Sequence, residues 1–247
     1  MENFTISTGK NITVDLNGAN IVNDKANPVK IAYNASLNIE GEGAIECNKH
    51  GASVLDNDGV LNISNGTFSR TVDEKGNGYY VLQNHGDMTI YGGVFSSPGG
   101  LSSLIENGYY NYTDTNPNRG HIEGQNAANP KIVINNGTFI DGYTTLKNDD
   151  GGIAEINGGN FYGMIWHVGK VLRIKDGYFC TEDGYPCLMC KKNNDNLNAG
   201  ECYISGGVWE TNADVAISIA GGNPHIEVSG GKFNKEVPAS FIATGYT

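Results

Sequence analysis

The chain has none of the marks of a helical protein, a membrane protein or a nucleic-acid binder. No stretch of its 247 residues keeps a sustained 3.6-residue apolar period, and helix formers are scarce. No apolar run reaches membrane-spanning length, so membrane insertion is not expected. Basic residues are few: 16 Lys and Arg stand against 27 Asp and Glu, for a formal charge of −11. They form no basic stripe, which excludes a nucleic-acid partner. The opening "MENFTISTGK" lacks a basic region followed by an apolar one, so no secretory signal is expected there. The five cysteines are an odd number, and 247 residues can bury a core without cross-links. A disulfide framework is therefore not expected.

Glycine and asparagine are abundant, at 35 and 32 residues. Both tolerate positive φ, so this composition suits many short strands joined by turns. One frame recurs: "LNISNGTF" (61–68), "MTIYGGVF" (88–95), "IVINNGTF" (132–139), "AEINGGNF" (154–161), "LRIKDGYF" (172–179), "CYISGGVW" (202–209) and "IEVSGGKF" (226–233). Alternation in the first half of each copy reads as a strand with one buried face. The glycine then turns the chain, and the aromatic points inward again. The repeated aromatics are Phe68, Phe95, Phe139, Phe161, Phe179, Trp209 and Phe233, separated by 27, 44, 22, 18, 30 and 24 residues. A meander has no need of one corner repeated this way. A solenoid does, because like residues ladder from coil to coil.

A second short strand precedes most copies: "SVLDN" (53–57), "YVLQN" (80–84), "TTLKN" (144–148), "CLMCK" (187–191) and "AISIA" (216–220). The segments "NITVDLNGANI" (11–21) and "LNIEGEGAI" (37–45) read as two earlier, less regular coils. The expectation is an all-β, single-stranded right-handed parallel β-helix of roughly nine or ten coils, in one domain over 1–247.

These residues carry a resemblance. "GKNITVDLNGANI" followed by tandem Ile-x-Gly-Gly-x-Phe resembles the right-handed parallel β-helices of the pectate-lyase-like superfold. More narrowly, it is similar to the Gly-Gly-x-Phe repeat proteins of gut Firmicutes and their phages. The ending "GGKFNKEVPASFIATGYT" (230–247) resembles the last coil of that group. The fold hosts lyases, hydrolases, adhesins, tailspikes and virion fibres, so function must be argued from sites.

Polygalacturonase-like members of the superfold use clustered carboxylates and an Arg-x-Lys pair. "RIK" at 173–175 and "NDD" at 148–150 superficially match two of their motifs. No Asn-Thr-Asp lies upstream, and no Gly-His-Gly lies between them. Arg173 and Lys175 also occupy the variable, outward slots of the repeat, and Asp149-Asp150 falls in a Gly-rich turn where Asp is expected anyway. Asp56, Asp58, Asp73, Glu74, Asp87 and Asp141 look scattered, whereas calcium needs many converging oxygen ligands. Gly-x-Ser-x-Gly is absent. The expectation is no catalytic residue, no metal and no cofactor.

Cys180, Cys187, Cys190 and Cys202 form C-x6-C-x2-C-x11-C, which matches no common zinc ribbon or finger. Core packing is expected of them. The histidines at 50, 85, 121, 167 and 225 show no ligand spacing and read as surface or satisfied loop residues.

The longest gap, 96–130, interrupts the repeat and reads as an insertion loop. It carries Tyr109, Tyr110 and Tyr112 with Asn111 and Arg119, a set able to stack on sugars or to dock a protein. The last segment, 236–247, reads as a cap or subunit dock through Phe241, Ile242 and Tyr246. Together these features lead us to expect a non-catalytic structural and surface-recognition module. The resemblance implies a phage virion component: a capsid decoration, head fibre or tail-associated protein on the virion surface. A bacterial cell-surface adhesin is the alternative, and a polysaccharide lyase or hydrolase the second alternative. Expected partners are other virion or surface proteins, cell-surface polysaccharide and further copies of the chain, a trimer being one such form.

Overall fold

A computed structural model describes residues 3–71, 80–98, 103–109, 121–182, 184–192 and 200–246. The described chain is all-β apart from one 3₁₀ turn at Ala239–Phe241. Its strands form a 16-stranded and a 9-stranded sheet, and every pairing between named strands is parallel. The architecture is solenoid-like and repetitive.

One circuit shows the plan. Leu55–Asn57 leads through a tight turn to Val60–Ile63, and a glycine corner leads on to Thr67–Ser69. The next circuit repeats this as Leu82–Asn84, Asp87–Ile90 and Val94–Ser96. Each strand lies beside its counterpart in register: Leu82 on Leu55, Met88 on Leu61, Phe95 on Phe68. The middle strands build the nine-stranded sheet. The first and third strands build two ladders of the larger sheet, joined where Thr138–Asn148 and Asn160–His167 run through both.

Period-two alternation fixes which residues enter the core. Leu61, Ile63, Met88, Ile90, Ile132, Ile134, Leu172 and Ile174 are all at most 2% exposed, while the residues between them face outward. Each added circuit covers the apolar cross-section of the one before, which a single circuit cannot bury.

The aromatic of each repeat stacks on the next. Ring centroids from Phe68 through Phe95, Phe139, Phe161, Phe179 and Trp209 to Phe233 lie 4.1–5.4 Å apart, with interplanar angles of 8–18°. The glycine two residues before each ring is required by space and by dihedral. At Gly93, φ is +107°, and a Cβ would sit 2.8 Å from the Gly66 carbonyl oxygen. At Gly177, φ is +138°, and a Cβ would sit 2.9 Å from the Phe179 ring. The corner therefore takes glycine because the neighbouring backbone and the stacked ring approach so closely.

The long gap in the repeat is not one loop. Ser103–Asn107 forms a strand between Leu82–Asn84 and Thr144–Asn148, with Leu104 and Ile105 in the core. "SLIEN" carries the same inward aliphatic-x-Asn pattern as "VLQN" and "TLKN", and this recruits it to the ladder. Among the described residues of the gap, the ladder runs on through Asn107.

The C-terminal segment lies across the last circuit. Ile242 forms a parallel bridge with Val228, and the Ala243 amide donates to the Val228 carbonyl at 2.9 Å. Phe241 packs against the core, whereas Tyr246 is 57% exposed. Tyr246 borders a cavity of about 400 Å³, also lined by Phe233, Val237 and Ile242.

Four of the five cysteines are fully buried and all five are free thiols; Cys180 is half-buried.

Candidate functional site

The site begins with an internal row of asparagines. Asn57, Asn84, Asn107 and Asn148 occupy one position in successive circuits, and each is 0% exposed. Each Nδ2 donates to the next Oδ1 at 2.7 Å, from Asn57 to Asn84, Asn107 and Asn148. Asn84 also binds its own turn, with Nδ2 donating to the Gly86 carbonyl at 3.1 Å and Oδ1 accepting from the Gly86 amide at 3.3 Å. Buried amides are tolerated because both ends are satisfied. His167 takes the next position and continues the row.

That row fixes what flanks it. The residue before each asparagine points outward, giving Asp56, Gln83, Glu106 and Lys147 in register, with Lys30 beside Asp56. The residue after it gives Asp58, His85 and Asp149. A strip of charge therefore runs along the exterior of one ladder. Much of it is covered: Glu106 is 2% exposed, Asp149 3% and Asp150 1%.

At one end of the strip the structure gathers residues that look scattered in sequence. Lys30 Nζ lies 3.2 Å from Asp56 Oδ2 and 3.7 Å from Asp58 Oδ2. His85 Nδ1 lies 3.3 Å from Asp58 Oδ1, and Asn27 Nδ2 donates to Asp56 Oδ2 at 3.0 Å. Ligand atoms of Asp56, Asp58 and His85 fall within 4.8 Å of one another, a spacing that suits a metal ion. The Lys30 ammonium already supplies the counter-charge, and the carboxylate of Asp56 raises the lysine's pKa. Burial pulls His85 down, but its hydrogen bond to Asp58 and the charges of Glu106, Asp58 and Asp56 outweigh burial and hold its pKa above the ordinary value. The cluster is therefore a network of two carboxylates, a lysine and an imidazole whose protonated form the carboxylates favour.

Further along, burial raises the pKa of Glu106, and the charge of Asp149 adds to it. Glu106 Oε2 accepts from Gln83 Nε2 at 2.9 Å, while its Oε1 is buried with no hydrogen-bond partner. Burial likewise raises Asp149, against the opposing pull of Lys147, with which it forms an ion pair. Raised carboxylates of this kind are a feature of acid–base sites. Here they are sealed from solvent.

Of the expected recognition residues, Tyr109 lies within the described chain. Tyr109 is 5% exposed and does not face outward. Its ring stacks on His85, with centroids 5.1 Å apart, and its hydroxyl donates to the Ala127 carbonyl at 2.5 Å. Burying the ring while satisfying the hydroxyl explains why it turns inward. Tyr110, Asn111, Tyr112 and Arg119 lie outside the described residues. Of the histidines expected as surface or satisfied loop residues, His85 is a half-buried turn residue held by Asp58, whereas His167 departs from that expectation, fully buried within a strand.

Arg173 and Lys175 are exposed on the nine-stranded sheet. Arg173 lies 5.3 Å from the Tyr203 ring, and Lys175 Nζ contacts Glu155 Oε1 at 2.6 Å. Asp149 is instead on the ladder behind Asn148, so the structure does not join the "RIK" and "NDD" residues into one contact network among the described residues.

Two exterior aromatic pairs escaped the sequence reading. Ile140 and Tyr162 are neighbours in register and 42% and 43% exposed. Tyr162 meets Tyr178 edge-on at 5.9 Å, and Tyr143 meets Tyr185 at 5.1 Å and 90°. Ile140 and Tyr162 each directly follow a ladder phenylalanine, and Tyr178 directly precedes one. That alternation was the available signal, since residues beside a buried ring must face out.

No family model matches the chain, and neither a curated protein nor a solved structure matches it.

Proposed function

We propose that this protein is a right-handed, single-stranded parallel β-helix that acts as a non-catalytic recognition rod. The nine strands of the middle sheet support a count of nine coils, and the Val228–Ile242 bridge supports a tenth. Right-handedness follows from the strong bias of parallel crossovers.

The observation that carries the recognition reading is a pair of exterior tyrosine contacts, Tyr162 with Tyr178 beside Ile140 and Tyr143 with Tyr185, in which Ile140, Tyr162 and Tyr185 are exposed. Rigid tyrosines present a large apolar face and a hydroxyl with little entropy lost on binding, the combination used for sugars and protein surfaces. The stacked core beneath holds them on a stiff frame. Resemblance of the repeat to the Gly-Gly-x-Phe proteins of gut Firmicutes and their phages supports a virion surface as the setting.

Two experiments test the reading. Retention of the full chain on a panel of purified bacterial capsular and wall polysaccharides is measured beside the Tyr162→Ala, Tyr185→Ala double variant. Loss of retention with unchanged melting supports it; equal retention by both sinks it. Antibody labelling of purified phage particles and of intact bacteria then separates virion from adhesin, since label on cells alone contradicts the virion setting.

A hydrolase or lyase is the second reading. It draws on the raised pKa of Glu106 and Asp149. Their burial at 2% and 3% exposure favours the non-catalytic assignment, because a general acid must reach its substrate. Release of reducing ends or unsaturated products from any of the same polysaccharides would reverse that choice.

A further inference from the structure

At the first circuits of the rod a depression of about 340 Å³ opens between Lys25, Lys30, Lys49, His50, Asn3 and Thr5. No acidic residue lines it, although the chain as a whole carries −11. Three of its 16 Lys and Arg residues therefore face one small space. Lys25 and Lys49 are exposed and belong to no ion pair among the described residues. Lys30, also on the lining, is paired with Asp56 and Asp58.

The walls are fixed. Asn27 ties them together, its Oδ1 accepting from the Ser53 amide and its Nδ2 donating to Asp56, both at 3.0 Å. The Lys25 amide donates to the buried Asn23 Oδ1 at 2.9 Å. Behind Lys49, the Arg70 guanidinium, 3% exposed, donates from Nη1 to the Lys49 carbonyl at 3.2 Å. A buried cation thus adds positive potential behind the wall. The nearest exposed acid in sequence, Asp24, has Oδ1 engaged by the Asn48 amide at 2.9 Å. Lysines held apart on a preorganised frame relieve their mutual repulsion by taking an anion between them.

We propose that this depression binds the oxyanion of an acidic sugar, with Lys25 and Lys49 as the direct partners and Lys30 closing the third side. The volume is at the small end for ligand pockets and fits one charged monosaccharide unit rather than a polymer. The choice of a sugar rests on the recognition reading above; the oxyanion site rests on the geometry. The charged group is either a phosphate or sulfate ester or a uronate carboxylate, and these share one electrostatic requirement.

The test is calorimetric titration of the full chain with sodium phosphate, sodium sulfate, sodium glucuronate and glucose, at constant ionic strength in chloride. The expected result is saturable binding of at least one oxyanion and none of glucose. The Lys25→Gln, Lys49→Gln double variant should bind about tenfold more weakly or worse, as loss of both direct charge partners requires. Its melting temperature should not change, since neither lysine is paired. Tighter binding of phosphate or sulfate assigns an ester-bearing glycan, and tighter binding of glucuronate assigns a uronate. Absence of saturable binding, or equal affinity in the double variant, overturns the site. A site that fails while the tyrosine variant still abolishes polysaccharide retention leaves the recognition reading intact. A site that holds while that variant binds normally removes the recognition reading instead.

Discussion

Asn148 Nδ2 lies 3.1 Å from His167 Nδ1, and His167 Nε2 lies 3.0 Å from the Glu201 carbonyl oxygen. An amide nitrogen only donates, so Nδ1 must accept and Nε2 must carry the proton. His167 therefore ends the asparagine row as a neutral imidazole with one defined tautomer. A second proton, on Nδ1, would point at the Asn148 amide hydrogens.

Acid should therefore weaken the fold through His167. Burial holds its pKa down to about 4, with the Glu201 carbonyl acting in the opposite direction. The unfolded histidine takes its proton near 6.5, whereas the folded one resists until about 4. Its contribution to stability is then full above pH 6.5 and is lost as pH falls toward 4, by roughly 3 kcal/mol. Other groups titrate over the same range, so the comparison is with His167→Asn, which keeps an acceptor for Asn148. Denaturant unfolding from pH 7 to pH 4 should show wild type losing about 3 kcal/mol more than the variant. Parallel curves for the two proteins would falsify the tautomer assignment.

Glu106 should behave with the opposite sign. Burial raises its pKa, so the folded protein keeps a proton that the unfolded chain releases. Its contribution is present below the ordinary carboxylate range and declines as pH rises through the folded value. Glu106→Gln retains an acceptor for Gln83 and removes the buried charge. At pH 8 the variant should be more stable than wild type by about 1 kcal/mol, and near pH 4 the two should converge. A variant that is less stable at pH 8 would show that the ionised carboxylate is held by the strip.

These two groups also mark what was legible in the sequence. The aromatic row was readable because glycine, alternation and ring recur together seven times, and each part constrains the next. The asparagines stood at the ends of "VLDN", "VLQN" and "TLKN", but Asn is so common in turns that nothing local says it points inward. What turns it inward is a bond to a residue 23–41 positions away. Asp56, Asp58 and His85 met for the same reason: the register Gln83 on Asp56 brings them together across loops of unequal length. Tyr109 read as exposed because its partners, His85 and Ala127, flank a break in the repeat.

The aromatic row should carry a large share of stability. Phe161 is 0% exposed, with Phe139 at 4.6 Å on one side and Phe179 at 5.1 Å on the other. Phe161→Ala would open a cavity between two rings that backbone pairing holds in place, so collapse is restricted. The expected loss is about 3–5 kcal/mol, read from denaturant unfolding. Phe161→Leu refills much of that volume and should recover more than half of the loss. Little change in either variant would mean that the rings do not form a continuous core. Phe233, at the open end and only partly buried, should lose less on the same substitution.

The exterior of the nine-stranded sheet should tolerate change. Arg173 touches Tyr203 from an exposed position, and Lys175 pairs with Glu155 at the surface. The lysine, by hydrogen bond first, lowers the Glu155 pKa, but the pair is open to water and ions, and such pairs contribute little. Neither side chain covers core, since Leu172 and Ile174, which alternate with them, face inward. The Arg173→Ala, Lys175→Ala double variant should therefore unfold within about 0.5–1 kcal/mol of wild type. If this pair instead served a sugar carboxylate, as the Arg-x-Lys of polygalacturonase-like enzymes does, stability would still hold while polyuronate binding or cleavage vanished. Unfolding and polyuronate turnover measured on the same two proteins separate these outcomes. The expectation is near-equal stability and no polyuronate cleavage by either, and cleavage by wild type that disappears in the double variant would overturn the non-catalytic assignment.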